Sequence, residues 1–327
     1  MKLEHLDSCP TCAGGNNFLY IHAKDTLHDL AGQFRVARCL DCTGCFLAIH
    51  PTPEAMGEYY PKQYYTHTLD SGDTLASKMQ ERICRWCYGL SRSPADQALH
   101  WLLHPQVNMF PPLRRPGATM LDFGCGNGRL LRQFIRFCFI MDGFEVDVES
   151  TRLAAQSARR VYTGGLASLA PPEPYDVKIL NQVLEHLHTP RQTLDFLKGL
   201  LADDGTLIIS VACNECLDFY LLKYCWYAFQ APTHLVHLNS RALRVLAKSC
   251  GFIIFKEEHA SPLKALSPGR LHKHLLNLRR RHGGIPWGTA AAYVLSSLLA
   301  LVPGVNRLKS DHITVYLKKS PAKESLQ

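Results

Sequence analysis

Three groups of residues in this chain have types and spacings that could do chemistry. The first is glycine-rich, Thr119-Met120-Leu121-Asp122-Phe123-Gly124-Cys125-Gly126-Asn127-Gly128-Arg129, followed by the apolar-periodic Leu130 to Ile135. It reads as a short buried strand, a sharp turn and the opening of a helix. Glycines at alternate positions keep side chains away from a ligand, and a helix start offers unpaired N–H groups, so the stretch reads as a nucleotide cradle. The dinucleotide fingerprint would place its third glycine where Arg129 stands, which excludes the usual form of that motif.

The second group is sulfur. Cys9-Pro10-Thr11-Cys12-Ala13-Gly14 and Cys39-Leu40-Asp41-Cys42-Thr43-Gly44 are two copies of Cys-x-x-Cys-x-Gly, with twenty-six residues between the pairs. Each copy can form a knuckle aiming two thiolates at one ion, and two knuckles complete a tetrahedral shell for Zn2+. Cys45 permits a competing Cys42/Cys45 pair, but only Cys39/Cys42 repeats the glycine. Cys9, Cys12, Cys39 and Cys42 are therefore the candidate ligands, and four thiolates leave no open position for a substrate. The third group is histidine: His186, at the end of an apolar strand-like run, and His234 and His237, in a loop that also carries Trp226, Tyr227 and Phe229. Imidazole titrates near neutral pH and suits proton removal.

Asp-x-Gly-x-Gly-x-Gly at 122–128 resembles motif I of the class I S-adenosylmethionine-dependent methyltransferases. Tyr175 to Leu187 resembles that family's fourth strand and the segment after it, and Leu200 to Ser210 its helix, turn and fifth strand. The cysteine-bearing N-terminus, Pro51-Thr52-Pro53, and Tyr59, Tyr60, Tyr64 and Tyr65 resemble the methyltransferase group that carries a zinc ribbon ahead of the catalytic domain. The resemblance implies S-adenosylmethionine as methyl donor, held by Asp122, Gly124, Cys125, Gly126 and Gly128, with Asn181 and Gln182 at the fourth strand's end. Glu145 is the candidate for the ribose hydroxyls, with Asp147 in reserve. It also implies that Trp226, His234 and His237 lie over the acceptor pocket, that the tyrosines close over cofactor or acceptor, and that His186 is the first candidate base, with His234 and His237 as rivals. The family's acidic residue after the third strand is missing from Gly164 to Leu169, which leaves adenine to backbone groups and Leu166 or Ala167.

These groups need a frame to position them. Strands at 120–123, 143–146, 161–163, 177–181 and 207–211 alternate with helices, which predicts an α/β, doubly wound, Rossmann-like sheet, mostly parallel, with ligands at the carboxyl ends of its strands. Strands at 252–256 and 312–317 add the closing antiparallel pairing. The expected organisation is a zinc-ribbon-like domain at 1–50, a linker and helical lid segment at 51–116, and the methyltransferase domain at 117–320 with a helical insertion at about 260–310. A helical pattern runs from Thr74 to His104, broken at Ser93-Pro94, with Leu75, Met79, Ile83, Trp86 and Leu90 on one face. Thr52 or Pro53 is expected to start a short helix, and Ser240 to cap a helix that Gly251 ends.

Composition fits an ordinary globular chain: 327 residues, 46% hydrophobic and 20% charged. Thirteen cysteines without an export-type N-terminus predict reduced thiols and a cytoplasmic protein. The formal charge of +8 gathers partly at Arg270 to Arg281 and Lys318-Lys319, and the 270–302 region reads as a basic amphipathic helix followed by an apolar one, open to peripheral contact with a membrane or to a buried helical hairpin. The leading expectation is methyl transfer to a small-molecule or saccharide acceptor, with oxygen favoured over nitrogen or carbon. The alternatives are a zinc-ribbon nucleic-acid-binding protein, disfavoured by the charge-poor ribbon, and an inactive methyltransferase-fold scaffold.

Overall fold

The computed structural model describes residues 2–25, 32–60, 75–103, 110–112, 115–259 and 310–321, with isolated helical positions at 275, 279, 288, 291, 294 and 295. The strands β1 (Leu3–His5), β2 (Asn17–Ala23), β3 (Phe34–Cys39), β4 (Cys45–Leu47) and β5 (Ile49–Pro51) come first, then the helices α1 (Leu75–Cys87) and α2 (Pro94–Leu103). The alternating part is β6 (Thr119–Phe123), α3 (Arg129–Phe134), β7 (Ile140–Glu145), α4 (Val148–Ala154), β8 (Arg160–Thr163), β9 (Tyr175–Asn181), α5 (Pro190–Gly199) and β10 (Leu201–Ala212). It is followed by α6 (Leu217–Leu222), β11 (Val236–His237), α7 (Ser240–Ser249), β12 (Phe252–His259) and β13 (His312–Lys319).

Seven strands form one sheet in the order β12-β13-β10-β9-β6-β7-β8. The five from β10 to β8 are parallel, and β13 runs against both its neighbours. Order reverses between β6 and β9, which puts the ligand crevice at the carboxyl ends of β6, β7 and β9. Helices cover both faces, so β6 and β9 read as near-continuous apolar runs rather than alternating ones. The cost of that burial is visible in β9, where Lys178 is fully buried and its Nζ donates to the Leu197 carbonyl.

The sheet and its pairing follow the sequence expectation; several details do not. The helix after β11 is capped by Asn239, not Ser240: Asn239 Oδ1 accepts from the Ala242 N–H at 2.8 Å, and Ser240 is already the first helical residue. Gly251, with φ of 71°, follows its end as expected. No helix starts at Thr52 or Pro53. A 3-10 turn begins at Met56, and the Thr52 carbonyl takes the N–H groups of Ala55 and Met56 instead. Leu90 is exposed because α1 stops at Cys87, before the predicted face reaches it.

Tyr64, Tyr65 and most of the 260–310 insertion lie outside the described residues. No helix among the described residues is long and apolar enough to cross a membrane.

A second sheet, ordered β11-β4-β3-β2, joins the two ends of the architecture. Its first strand belongs to the loop after β10, while the other three come from the cysteine-bearing N-terminus. Val236 pairs with Phe46 and His237 with Cys45 across this seam. The apolar core is continuous there too: Cys9, Cys39, Cys42 and Phe46 pack in the same cluster as Leu121, Phe144, Leu238 and Leu243.

Candidate active site

The glycine turn leaves β6 at the crevice, but its backbone amides are already engaged. The Phe144 carbonyl accepts from the Gly124 and Cys125 N–H groups at 2.8 and 3.0 Å, and Gly128 donates to Cys125. The Gly126 N–H donates to Glu145 Oε2 at 2.8 Å. The N–H groups of Gly124, Cys125, Gly126 and Gly128 are thus used within the protein, and what the turn presents beside them is the Glu145 carboxylate. Glycine is required most clearly at 128, where φ is 80° and an added Cβ would lie 2.8 Å from Ala154 Cα.

Glu145 and Asp147 separate by geometry. Glu145 Oε1 accepts from the Val146 and Asp147 N–H groups at 2.8 and 3.0 Å. Three donors use about three of a carboxylate's four lone-pair positions, so Oε2 keeps capacity for one more hydroxyl at the turn. Asp147 is the N-cap of α4, with its side chain accepting from the Ser150 N–H at 2.8 Å. Asp122 is buried beneath the turn; desolvation, and then the nearby Glu145 charge, push its carboxyl up to about 7. Cys125 is buried with its sulfur against Gly143, leaving it a packing role.

At the end of β9, Asn181 and Gln182 are half-buried, and Gln182 has φ of 58°, a conformation costly for a residue with a side chain. Its amide donates to the Ser210 carbonyl at 3.1 Å. The next residue, Val183, packs on Gly124 so closely that a Cβ there would sit 2.5 Å from Val183 Cγ2. The glycine turn and the segment after β9 therefore form one wall.

Behind that wall lies a buried polar cluster. The rings of His186 and His234 meet edge to face with centroids 4.6 Å apart, His237 lies 6.3 Å from His234, and Phe229 is 4.3 Å from His237. His186 Nδ1 lies 2.8 Å from the Thr233 carbonyl, which accepts only if that nitrogen carries the proton, so Nε2 holds the lone pair. Tyr60 Oη lies 3.0 Å from the same Nδ1. Burial holds all three rings neutral: His186 falls to about 4, His237 to about 3, and His234 well below its ordinary value. Burial also pushes the Glu185 carboxyl up to about 8.

Six buried polar atoms around this cluster make no hydrogen bond: both carboxylate oxygens of Glu185, His234 Nδ1, His237 Nε2, Trp226 Nε1 and Asn214 Oδ1. Unpaired buried polar groups cost on the order of 1–3 kcal/mol each, so their concentration at one strand end marks a place built to meet something else. The sequence pointed to the histidines and Trp226, and gave Glu185 and Asn214 no individual role. Glu185 sits beside His186 in the motif, yet only the fold shows that its carboxylate turns inward.

The four cysteines converge as expected. Cys9 and Cys42 sulfurs lie 3.7 Å apart, Cys12 and Cys39 sulfurs 3.5 Å, and all four are within 4.8 Å of one another. Four thiolates about 2.3 Å from a Zn2+ would be separated by roughly 3.8 Å, so the cluster fits that ion.

The two knuckles are structural copies. Cys9 and Cys39 N–H groups donate to the Gly14 and Gly44 carbonyls, and Ala13 and Thr43 N–H groups donate back to Cys9 and Cys39. The left-handed residue in each knuckle is Ala13 or Thr43, not the glycine. Gly14 is needed for close approach, since a Cβ there would fall 2.1 Å from Asp41 Oδ2. Cys45 lies in β4, apart from the four.

Residues 95–257 match the family described as "Methyltransferase domain". Among curated proteins, an uncharacterized methyltransferase of Mycobacterium bovis is 25% identical over 162 residues, covering 47% of this chain and 72% of that protein. A ubiquinone biosynthesis O-methyltransferase of Haemophilus ducreyi is 28% identical over 121 residues, covering 32% of this chain and 50% of that protein. Among solved structures, an O-methyltransferase from a polyketide synthase multienzyme of Brevibacillus brevis, bound to S-adenosylhomocysteine, is 16% identical with a TM-score of 0.45, covering 73% of this chain and 80% of that one.

Proposed function

This chain is a class I S-adenosylmethionine-dependent methyltransferase, and from that premise we propose that it methylates a small-molecule or saccharide acceptor, at oxygen. The glycine turn and Glu145 hold the adenosyl part of the donor, with Oε2 taking a ribose hydroxyl, and Asn181 and Gln182 border it at the end of β9. The donor supplies an activated methyl on a sulfonium, so the protein's work is to align an acceptor with the sulfur–methyl bond and keep water out.

The observation that carries the acceptor's place is the set of buried, unbonded polar atoms on Glu185, His234, His237, Trp226 and Asn214 beside the donor wall. A hydroxylated acceptor would satisfy several of them at once, which an apolar acceptor would not. His186 stands between donor wall and cluster with a lone pair on Nε2, and its ring is fixed by Thr233 and Tyr60. A nitrogen near 4 is a weak base on its own, so the acceptor's proton leaves with help from the whole cluster.

The cysteine cluster holds Zn2+ in a structural role. Its second knuckle is tied to the acceptor loop, since Asn239 Nδ2 donates to the Thr43 carbonyl at 3.0 Å and the β4–β11 seam begins three residues after Cys42.

Titration calorimetry with S-adenosylhomocysteine, followed by incubation of the protein and S-adenosylmethionine with a panel of hydroxylated small molecules and saccharides, tests this reading by mass spectrometry. The expected result is saturable cofactor binding and gain of one methyl by a hydroxylated compound. A well-folded protein that binds neither donor nor product overturns it.

A further inference from the structure

We propose that Glu185, His186 and His234 form a second metal site, taking a divalent first-row transition cation at the acceptor end of β9, distinct from the four-cysteine cluster. A carboxylate oxygen and one ring nitrogen from each histidine lie within 4.8 Å of one another. Two neutral imidazoles and one carboxylate are a donor set suited to such ions, and three protein ligands leave positions open to a substrate. Ligands in a shell of this kind sit about 3 Å apart, so the three side chains draw together when the ion enters.

Independent features of the structure point to a ligand here. Glu185 is 2% exposed and His234 is 3% exposed, yet neither Glu185 oxygen nor His234 Nδ1 has a hydrogen bond of good geometry; the backbone groups of Glu185 and Ala212 approach the carboxyl without closing one. A buried carboxylate is among the costliest groups to leave unpaired, and the potential ligands gathered around Glu185 are the imidazoles of His186 and His234. The His186 ring is oriented through Nδ1 by the Thr233 carbonyl. Backbone carbonyls play this part behind metal-bound histidines, fixing the tautomer whose other nitrogen binds the ion. The Leu235 N–H donates to the Glu185 carbonyl at 2.7 Å, so the turn carrying Glu185 and His186 is locked to the strand that follows His234.

The role of the site rests on the methyl-transfer reading; its existence does not. An acceptor hydroxyl bound at an open position of the ion loses its proton to solvent more readily. Its oxygen then forms the new bond to the methyl carbon while the sulfur–carbon bond breaks and the sulfur keeps the electron pair, leaving neutral S-adenosylhomocysteine. The ion is regenerated when the methylated product leaves.

The test uses the full-length protein as purified, with its cysteine cluster loaded, and manganese(II) chloride as probe, because Mn2+ competes poorly for thiolates. Electron paramagnetic resonance titration should show one Mn2+ bound per chain, with echo modulation from imidazole nitrogen. Glu185→Gln and His234→Gln should each weaken that binding by at least about tenfold, with S-adenosylhomocysteine affinity within about twofold of the parent.

Mn2+ that stays free in a protein binding S-adenosylhomocysteine normally, or that binds without nitrogen modulation, overturns the site and leaves the methyltransferase reading standing. In that case Glu185 is a protonated carboxyl among neutral rings. Mn2+ bound with nitrogen modulation in a chain that ignores S-adenosylhomocysteine supports the site and removes its assigned role. The parent titration decides the question even if a variant fails to fold.

Discussion

His237 and Cys45 face each other across an antiparallel pairing that joins the histidine-bearing loop after β10 to the cysteine-bearing sheet. His237 lies in the polar cluster, and Cys45 is three residues from Cys42. Through this seam the sheet that carries the cysteine knuckles and the loop that carries His234 and His237 share one set of backbone hydrogen bonds. A zinc ion there would therefore position the acceptor side rather than the donor turn. Cys39→Ser should lower zinc content and reduce methyl transfer by at least about tenfold, while S-adenosylhomocysteine affinity changes by less than about threefold. Metal analysis, turnover and calorimetry on the same preparation check this; equal losses in turnover and cofactor affinity would remove the seam as the route.

Glu145 is held by three backbone N–H groups, and an amide in its place would turn an NH2 toward at least one of them. Glu145→Gln should weaken S-adenosylhomocysteine binding by roughly 10- to 100-fold, since an opposed buried donor costs about 1–3 kcal/mol. Asp147→Ala removes only a helix cap, costing about 1 kcal/mol of stability, and should leave affinity within about twofold. Gly128→Ala must place a Cβ at φ of 80°, 2.8 Å from Ala154 Cα, and should weaken binding at least as much as Glu145→Gln. Calorimetry on the three variants separates the residue that shapes the turn from its neighbour. An Asp147→Ala loss matching that of Glu145→Gln would reverse the assignment.

Much of this was readable before the fold was known, because the pattern of buried strands sets the sheet and the glycine spacing sets the turn. The cysteine pairing was readable too, since a repeated knuckle needs a repeated spacing. Hydrogen-bond bookkeeping was not. Nothing in the spacing of Gly124, Gly126 and Gly128 says that Phe144 and Glu145 occupy the amides of Gly124, Cys125 and Gly126, because those partners come from the adjacent strand. Asn239 and Ser240 are both good caps, and a shift of one residue decides which is used. The inward turn of Glu185 depends on a loop about fifty residues further on, and the seam at His237 on a strand nearly two hundred residues away, neither of which local periodicity can encode.

Lys178 is a further residue that periodicity hides, an amine in the middle of an apolar strand. Burial, and then the neighbouring Lys319 charge, lowers its ammonium from 10.5 to about 6. Between those values the unfolded chain binds a proton that the folded chain does not, so stability rises with pH across this window and falls as pH drops toward 6. Lys178→Met removes the titrating group, and the Leu197 carbonyl keeps the Leu200 N–H at 3.1 Å. The variant should be more stable near pH 7, by on the order of a few kcal/mol, with a flatter dependence of Tm on pH from 6 to 9. Thermal melts across that range check it. A parallel pH slope in parent and variant would show that Lys178 stays charged in the fold.

Tyr60 and Thr233 both approach His186 Nδ1, but they are not equivalent. The Thr233 carbonyl is the shorter contact and can only accept, so it alone fixes which nitrogen carries the proton. Tyr60 then receives a share of the same N–H and restrains the ring from the side of the N-terminal segment. Removing its hydroxyl leaves the tautomer intact and loosens the orientation. Tyr60→Phe should therefore reduce kcat by about three- to tenfold, whereas His186→Ala, which deletes the lone pair, should reduce it by about 10²- to 10⁴-fold. Both variants should bind S-adenosylhomocysteine within about threefold of the parent, because neither side chain bonds to the glycine turn. Steady-state kinetics beside calorimetry reads the split. A His186→Ala enzyme as active as Tyr60→Phe would show that the ring only packs, and would move the chemistry to His234 or His237.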